Sequence, residues 1–397
     1  MPEPDLGVVA PIWAPVVARD LRAVGFRIAL RAAATQLSET PLATLLDSVL
    51  NGFRASEATG FPHGLIVLAP LDLPLDDSLA HWRAPRNVLL EIAQQEAEHP
   101  DRLRLLLEVQ RHGVRLALRL AAEQAPPSQR LPLFQYVTLP AARAGAAPCG
   151  SAVLALDPRS RAAAAEAFAA GAHAVVGWPL QEPAADANGQ LQPLQKAVLE
   201  LIRLVQSDAD GPALERAFKA EPVLSYMLLT LANSPAFARA QPIASIAQAI
   251  SLLGYQRLLK WLVLLLVVAS KHSKALPYIY TAVARGFFLE HLALARGAPP
   301  VERDEGFVVG AFSLLDKIIG RSLPHLFADL PLPSPVIGAL LTGEGPHAAH
   351  LRLACALQGV DSVLPTPLCG LADLPRAVIN RALLQALAAT DALHSAV

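Results

Sequence analysis

The segment GFRIALRAA, residues 25–33, is a largely apolar run that is typical of a buried strand leading into a loop, and it carries two charged residues, Arg27 and Arg31. Seven more apolar runs of this kind lie within residues 1–180: VVAPIW, GLIVLAP, NVLLEIA, VRLALRL, LFQYVTL, SAVLALD and AVVGWPL. Most are separated from the next run by enough residues for a helix. Eight strands with interleaved helices predict a parallel sheet closed into a small or distorted β/α barrel, with a doubly wound open sheet as the alternative.

Helical patterns separate the chain into two halves. LATLLDSVLNGF, DRLRLLLEVQRHG and PRSRAAAAEAFAAGA predict helices between the strands of the first half. Residues 184–195 are polar and rich in Pro, Gly and Ala, which is typical of a linker. Apolar residues recur at helical spacing beyond it, so an all-α bundle is expected. The predicted domains are therefore residues 1–183 and 196–397, joined by 184–195.

The composition excludes several classes of protein. Of the 397 residues, 53% are apolar and 17% charged, which is enough apolar material for two buried cores. The net charge of −1 gives no long-range field that attracts a nucleic acid polymer. Cys149, Cys355 and Cys369 form no zinc motif, and MPEPDLGVVAPIW lacks a signal-peptide pattern, so we expect a cytoplasmic protein. The most apolar stretch, residues 258–270, is too short to span a bilayer, so it predicts a core helix without membrane insertion.

The first half resembles the EAL domain, a β/α barrel family that hydrolyses cyclic di-GMP with two metal ions. The resemblance is carried by APVVARDLRAVGFRIALR and then, in order, by VLLEIA, GVRLAL, FQYVTLP, SAVLALD and GWPL. It runs through nearly all of residues 1–180. The resemblance implies a site at the carboxyl ends of the strands, where the family holds its metals.

Hydrolysis by two metal ions needs several anionic oxygen ligands. In the EAL family the first of these ligands is a glutamate. The resemblance places Arg27 at that position, and arginine is a permanent cation that repels metal. The family's other polar positions fall on residues without a carboxylate: Val67, Arg119, Leu120, Thr138, Pro140 and Leu156. Glu91 keeps a matching acid, and Asp157 would supply a second one only if its strand shifted register. We therefore expect no catalytic residue, no metal, no cofactor and no enzymatic activity.

Binding of cyclic di-GMP without cleavage is an alternative. Arg31 corresponds to the arginine that follows the family's EAL motif and resembles a phosphate-contacting group. Arg31 and Glu91 are thus the candidate nucleotide contacts, although Ala14 replaces the opening glutamine of the motif. On the other interpretation, Arg31 and Glu91 are retained strand-end residues without a ligand.

The second half resembles the HDOD domain, a helical relative of the HD hydrolases. The match is carried by LERAFKAEPVLSYMLLTLANSPAFARAQPIASIAQAISLLGYQRLLKWLVLLL, then by EGFVVGAFSLLDKIIG and LPSPVIGALLTGEG. A true HD hydrolase chelates metal with consecutive His and Asp residues. Here Leu315, and not a histidine, precedes Asp316. The histidines of this half, such as His272, are scattered along the sequence. The HAAH sequence at 347–350 places two imidazoles three residues apart, a pattern more typical of solvated surface than of a metal site.

Four residues of the second half are candidates for interaction or for the domain core: Asn233, Trp261, Arg285 and Asp316. Asn233 and Ser234 lie at a predicted helix junction, which favours capping over ligand contact. Trp261 is interpreted as a core anchor. Arg285 is expected either to pair with Glu290 or Asp316 inside the bundle or to mark a recognition groove.

The predicted architecture is therefore α/β plus all-α, with a degenerate EAL-like barrel followed by an HDOD-like bundle. It implies a non-catalytic bacterial signalling scaffold that binds other signalling proteins and is connected with cyclic di-GMP. A sensor that binds cyclic di-GMP without hydrolysis and a metal-dependent cyclic di-GMP phosphodiesterase are the alternatives. The sequence leaves a homodimer open.

Overall fold

Eight strands close into a barrel in chain order. The computed structural model describes residues 6–32, 40–54, 60–120, 131–148, 150–184, 193–233, 243, 245–268, 273–328, 332–361 and 374–395. The strands are β1 (Val9–Ala18), β2 (Ala23–Ala32), β3 (Leu65–Pro70), β4 (Val88–Ala93), β5 (Arg115–Arg119), β6 (Tyr136–Pro140), β7 (Ala152–Leu156) and β8 (Ala174–Val176). Each contains part of one of the eight predicted runs. The predicted closed barrel is confirmed, and the open-sheet alternative is excluded.

The first strand departs from the parallel sheet that was predicted. β1 is antiparallel to both β2 and β8, whereas β2 to β8 are parallel to one another. The prediction is wrong for β1 because residues 19–22 alone separate it from β2. A connection this short joins antiparallel strands, whereas a parallel crossover needs about a dozen residues or more.

Helices flank only part of the barrel. They are α1 (Leu42–Phe53), α2 (Gln94–Glu98), α3 (Arg102–Arg111) and α4 (Arg161–Ala169). Short 3₁₀ segments lie in three other described connections: Asp77–His81, Leu131–Leu133 and Ala141–Ala146. The barrel is therefore distorted from a regular alternation of strands and helices.

The described residues after β8 are helical, as the sequence predicts. The helices are α5 (Pro193–Gln206), α6 (Gly211–Lys219), α7 (Pro222–Ala232), α8 (Ile246–Val268), α9 (Leu276–Ala295), α10 (Pro300–Phe312), α11 (Leu315–Ile319), α12 (Leu323–Phe327), α13 (Ser334–Ile337), α14 (Ala348–Ala356) and α15 (Arg376–Ser395). A π-helical turn, Gly338–Thr342, follows α13. α5 begins at Pro193, inside the segment 184–195 that was predicted as a linker, and its Gln195 is buried.

α8 contains a break at Gly254, whose φ of 68° and ψ of 163° are not helical. Its segment Ile246–Leu266 is long and apolar enough, by those two measures alone, to cross a membrane. The break divides α8 into two pieces that are each shorter than the about 20 residues that spanning requires. The absence of membrane insertion stays a prediction.

Two long helices attach the helical half to the barrel. α9 is buried along most of its length and packs against α10, α14 and α15. α15 also packs against α1, and the Asn380 side-chain amide donates to the carbonyl oxygens of Leu6 and Val9 at 2.7 and 2.8 Å. The Asp391 carboxylate accepts a hydrogen bond from the His63 N–H at 2.7 Å. One apolar core therefore continues through both halves.

Candidate functional site at the barrel mouth

The barrel mouth is the end of the barrel at which the parallel strands β2 to β8 finish. Alternate residues of each strand point into the barrel. An apolar cluster that runs through the barrel interior consists of Ala14, Val16, Val67, Leu89, Ala117, Leu154, Leu156, Ala174, Val176 and Val360. Strand register places Arg27 beside Ala14 and Val67, Glu91 beside Ala117, and Arg119 beside Thr138. Five of the positions compared with EAL ligands, those of Arg27, Val67, Arg119, Thr138 and Leu156, therefore share the interior face with Glu91.

Arg27 and Glu91 form a buried ion pair across this interior. The Arg27 Nε donates to Glu91 Oε2 at 2.9 Å, and Nη2 donates to Oε1 at 2.7 Å. Their side chains are 1% and 2% exposed. Burial by itself lowers the pKa of Arg27, but the charges and hydrogen bonds of Glu91 and Asp361 raise it above its ordinary value. Arg27 therefore stays cationic, and both oxygens of Glu91 are engaged.

Residues 357–361, which we call the plug, enter the barrel mouth from the helical half. Arg27 Nη1 donates to the Val360 carbonyl oxygen at 2.6 Å and lies 3.4 Å from Asp361 Oδ1. Arg119 Nη2 donates to Asp361 Oδ2 at 2.6 Å, and Arg31 Nη2 donates to the Asp361 carbonyl oxygen at 3.1 Å. Val360 itself packs among the interior apolar residues. The plug thus occupies the position from which a ligand would reach Arg27.

The plug is also fixed by its backbone and by the helical half. The Trp13 N–H donates to the Leu357 carbonyl oxygen, and the Gly359 N–H donates to the Trp13 carbonyl oxygen, both at 2.9 Å. The Gln358 Oε1 accepts from Arg285 Nε at 3.2 Å and from Nη2 at 2.8 Å. The plug is therefore connected to both β1 and α9.

Arg285 does not have the predicted partners. Its Nη1 donates to Ser313 Oγ at 3.1 Å, whereas Glu290 accepts from Lys260 Nζ at 2.5 and 2.6 Å. The predicted ion pair with Glu290 or Asp316 is therefore wrong. Residues five apart on a helix point in directions about 140° apart, so Arg285 and Glu290 face different neighbours. Burial lowers the pKa of Arg285.

The residues present do not fit a pair of divalent cations. Arg27 stands at a position where the metal-dependent family has a carboxylate, and it already binds both oxygens of Glu91. The buried Thr138 hydroxyl has no hydrogen-bond partner among the described residues, and it supplies a single neutral oxygen. The described residues contain no group of three or more His, Cys, Asp or Glu side chains that could hold a metal. Asp157, which would supply a ligand after a register shift, lies beyond the end of β7 with its side chain exposed.

Arg31 and Glu91, the predicted nucleotide contacts, lie at the same mouth. Arg31 pairs with Asp72 Oδ2 at 2.6 Å in addition to its contact with the plug. Its Nε is buried and has no hydrogen-bond partner among the described residues. The role of Arg31 and Glu91 in nucleotide binding stays a prediction. The guanidinium groups of Arg27, Arg31 and Arg119 together form what we call the arginine cluster.

The other candidate residues lie away from the mouth or beside the plug. The Asn233 amide ends α7 and exchanges two hydrogen bonds with the Ile243 backbone, at 2.7 and 2.8 Å, which is a capping arrangement. Trp261 on α8 stacks on buried Phe218 with ring centroids 6.4 Å apart. Asp316 pairs with Lys317 at 3.2 Å and lines a groove that also contains Arg285. Ser234 and His272 lie outside the described residues.

The sequence analysis interpreted the two histidines of HAAH as solvated surface, and this interpretation is wrong. His347 and His350 are buried because α14 packs this face against α9. His347 Nε2 lies 3.1 Å from Glu305 Oε2. Burial, with the nearby Arg296, lowers the pKa of His350. The pair is therefore part of the bundle core.

Sequence reasoning missed the plug residues, above all Gln358 and Asp361. One signal was present, because an arginine inside an apolar strand requires an anionic partner when it is buried. That signal points to Glu91 on a neighbouring strand, but it does not select one aspartate among all those in the second half.

An open cavity of about 630 Å³ lies next to the plug and gives solvent access to the mouth. Arg119 and Asp361 line it, with side chains 28% and 37% exposed. Gln94, Gln95, Asp157 and Arg159 also line the cavity. A small solute can therefore reach the outer part of the arginine cluster without unfolding the barrel.

Comparison with known proteins finds matches for both halves. Residues 191–310 match the HDOD domain. The chain is 31% identical over 133 residues to the uncharacterized protein YuxH of Bacillus subtilis, covering 33% of this chain and 32% of YuxH. It is 28% identical over 187 residues to the cyclic di-GMP phosphodiesterase CdgJ of Vibrio cholerae, covering 47% of this chain and 43% of CdgJ. The matched part thus spans less than half the length of each curated relative.

Solved structures also align with part of the chain. The PaMucR phosphodiesterase in complex with c-di-GMP aligns at a TM-score of 0.33 and 12% identity, over 43% of this chain and 90% of that one. Klebsiella pneumoniae BlrP1, in a calcium and c-di-GMP complex, aligns at 0.33 and 14% identity, over 45% of this chain and 57% of its own. The order predicted from the sequence is supported: an eight-stranded barrel precedes a helical region that matches the HDOD domain.

Proposed function

We propose that this protein is a non-catalytic signalling scaffold that acts through contacts with other signalling proteins in the cytoplasm. The observation that carries the proposal is the state of the barrel mouth, where Arg27 binds both oxygens of Glu91 and the plug covers the pair. Two-metal hydrolysis needs free anionic oxygens at this place. A guanidinium at the centre of the site opposes that chemistry by charge and by occupancy.

A connection with cyclic di-GMP is part of the proposal. Its support is the sequence similarity to CdgJ, which is named a cyclic di-GMP phosphodiesterase, together with the resemblance of the barrel sequence to the EAL domain. A scaffold derived from such an enzyme would keep its place in the network after losing its catalytic groups. The second candidate function is a sensor that binds the nucleotide without cleaving it, and the arginine cluster is the observation that favours it.

Hydrolysis of cyclic di-GMP is expected to be absent. Purified full-length protein incubated with the nucleotide and Mn²⁺ or Mg²⁺ should give no linear product above the no-enzyme blank, because Glu91, Asp72 and Asp361 are each held by an arginine. Elemental analysis of the same protein should find no stoichiometric metal. An active phosphodiesterase assayed in parallel controls for substrate quality. Metal-dependent turnover with two bound ions would overturn the proposal in favour of a phosphodiesterase with shifted ligands.

Protein contacts are expected to involve an apolar patch on α7. Val223 and Tyr226 are 58% and 71% exposed and stand one turn apart, inside the region that matches the HDOD domain. Exposed apolar groups side by side are typical of contact surfaces. Crosslinked partners of the full chain, identified by mass spectrometry, should be lost in Tyr226→Ser and retained in Val301→Ser, a single exposed apolar residue elsewhere. Equal yields from both variants would exclude this patch, and light scattering would tell a second copy of the chain from another protein.

A further inference from the structure

The plug presents a carboxylate to the arginine cluster in the way that an external anion would. Asp361 Oδ2 lies 2.6 Å from Arg119 Nη2, and Oδ1 lies 3.4 Å from Arg27 Nη1. Two guanidinium groups from different strands thus converge on one carboxylate. Convergent guanidinium groups are the arrangement by which proteins bind phosphate and carboxylate oxygens.

Among the residues that the structure describes, Asp361 completes the charge balance of the arginine cluster. The arginine cluster contributes three positive charges, and Glu91, Asp72 and Asp361 contribute three negative ones. Glu91 is committed to Arg27 by two hydrogen bonds, and Asp72 to Arg31 by one. If Asp361 leaves, Arg119 keeps only the more distant Glu91 Oε1, 3.8 Å from its Nε, and the Nη1 group of Arg27 loses its nearby carboxylate.

The contact is open to competition from solution. Arg119 and Asp361 face the open cavity of about 630 Å³, which is large enough for a compact anion. A phosphate monoester carries about 1.5 to 2 negative charges at neutral pH, more than one carboxylate. A phosphodiester carries a single charge per phosphate and has no such advantage. The chemistry of the site therefore favours the monoester class.

We propose that the barrel mouth is a binding site for phosphate monoesters whose resident ligand is the chain's own Asp361, and that an external phosphate displaces the plug. The inference goes beyond the proposed function and does not depend on it. Displacement breaks the two backbone hydrogen bonds between the plug and Trp13 and shifts Gln358 relative to Arg285. α14 ends at Ala356, directly before the plug, so occupancy of the barrel is communicated to the bundle.

Amide hydrogen exchange tests the proposal on the full-length protein. The reporters are the N–H groups of Trp13 and Gly359, which bond across the contact between β1 and the plug. Asp361→Asn is expected to speed exchange at both by at least tenfold, because the charge that holds the plug is lost. In the wild type, inorganic phosphate should speed exchange at the same two amides in a saturable manner. Sodium chloride at equal ionic strength should not.

Calorimetry with inorganic phosphate supplies the second measurement. Asp361→Asn should bind phosphate at least tenfold more tightly than the wild type, because the internal competitor is gone. Adding Arg119→Gln to that variant should weaken binding by at least tenfold. Asp157→Asn is the matched control, since this carboxylate lines the same cavity and pairs with Arg159 at 3.9 Å.

Two results would overturn the proposal. One is unchanged exchange at Trp13 and Gly359 in Asp361→Asn. The other is equal phosphate affinity in Asp361→Asn and in the double variant with Arg119→Gln. Tighter binding of cyclic di-GMP than of phosphate to Asp361→Asn would contradict the assignment to monoesters. Hydrolysis and partner capture do not enter these readouts, so failure of the proposed function would leave them interpretable.

Discussion

Replacing Glu91 with alanine is expected to lower the free energy of unfolding by about 3–5 kcal/mol, because it leaves the Arg27 charge buried without its main partner. The Arg27 side chain is 1% exposed and donates two hydrogen bonds to the Glu91 carboxylate. Val360 and Asp361 offer only one carbonyl and a more distant carboxylate in exchange. Chemical denaturation followed by circular dichroism measures the loss.

The double variant Arg27→Met/Glu91→Leu separates the charge effect from the loss of side-chain volume. Removing both members of a buried pair is often neutral, so this variant should recover most of the stability. Glu108→Ala removes the partner of exposed Arg104 and should cost no more than about 0.5 kcal/mol. If the single and double variants lose equal stability, the ion pair is not the source of the effect.

Gly310→Ala is expected to destabilise the helical half by about 3 kcal/mol or more, at or beyond the upper end of what overpacking usually costs. A Cβ atom at Gly310 on α10 would lie 2.3 Å from the Gly286 nitrogen and 2.4 Å from the Arg285 carbonyl carbon on α9. Both atoms belong to backbone, so the helices must separate. Thermal denaturation should show the loss, and exchange at the Gly359 amide should rise because Arg285 moves with α9.

Gly306→Ala on the same helix is the matched control. Its Cβ atom would make ordinary contact, at 3.4 Å, with the Leu289 carbonyl oxygen. Alanine also favours helix over glycine by up to about 1 kcal/mol, so this variant should be neutral or more stable. If both variants lose a similar amount of stability, the effect of Gly310→Ala does not come from the close approach of α9 and α10 at Gly310.

Much of the barrel could be predicted from the sequence, because each strand is a short apolar run and each run contributes side chains to a buried face. The direction of β1 could not be read from its apolar pattern, since a strand has the same alternation in either direction. The signal for its direction was the short connection at residues 19–22. α15 agrees with the predicted all-α region, since Ile379, Leu383 and Leu387 recur at helical spacing within it.

The candidate site was predictable only where it depends on neighbouring strands. The sequence indicates that Arg27 replaces an acid and that Glu91 remains, and the structure joins these two residues. Asp361 lies 334 residues from Arg27, and nothing local in the sequence selects it. The partner of Arg285 is equally remote, since Gln358 is 73 residues away. Contacts of this range are set by packing of the whole chain, which periodicity and spacing do not encode.

The hydrogen bonds from Asn380 to Leu6 and Val9 have a consequence for synthesis of the protein. They join residues that are 374 and 371 positions apart in the sequence. These two hydrogen bonds can therefore form only after Asn380 on α15 has been synthesised. At about 5–20 residues per second, ribosomes need roughly 20–75 s to make the intervening chain. During that time α1 lacks the contact with α15 that the folded protein makes. The attachment of Leu6 and Val9 to the helical half is therefore completed only after translation has passed Asn380.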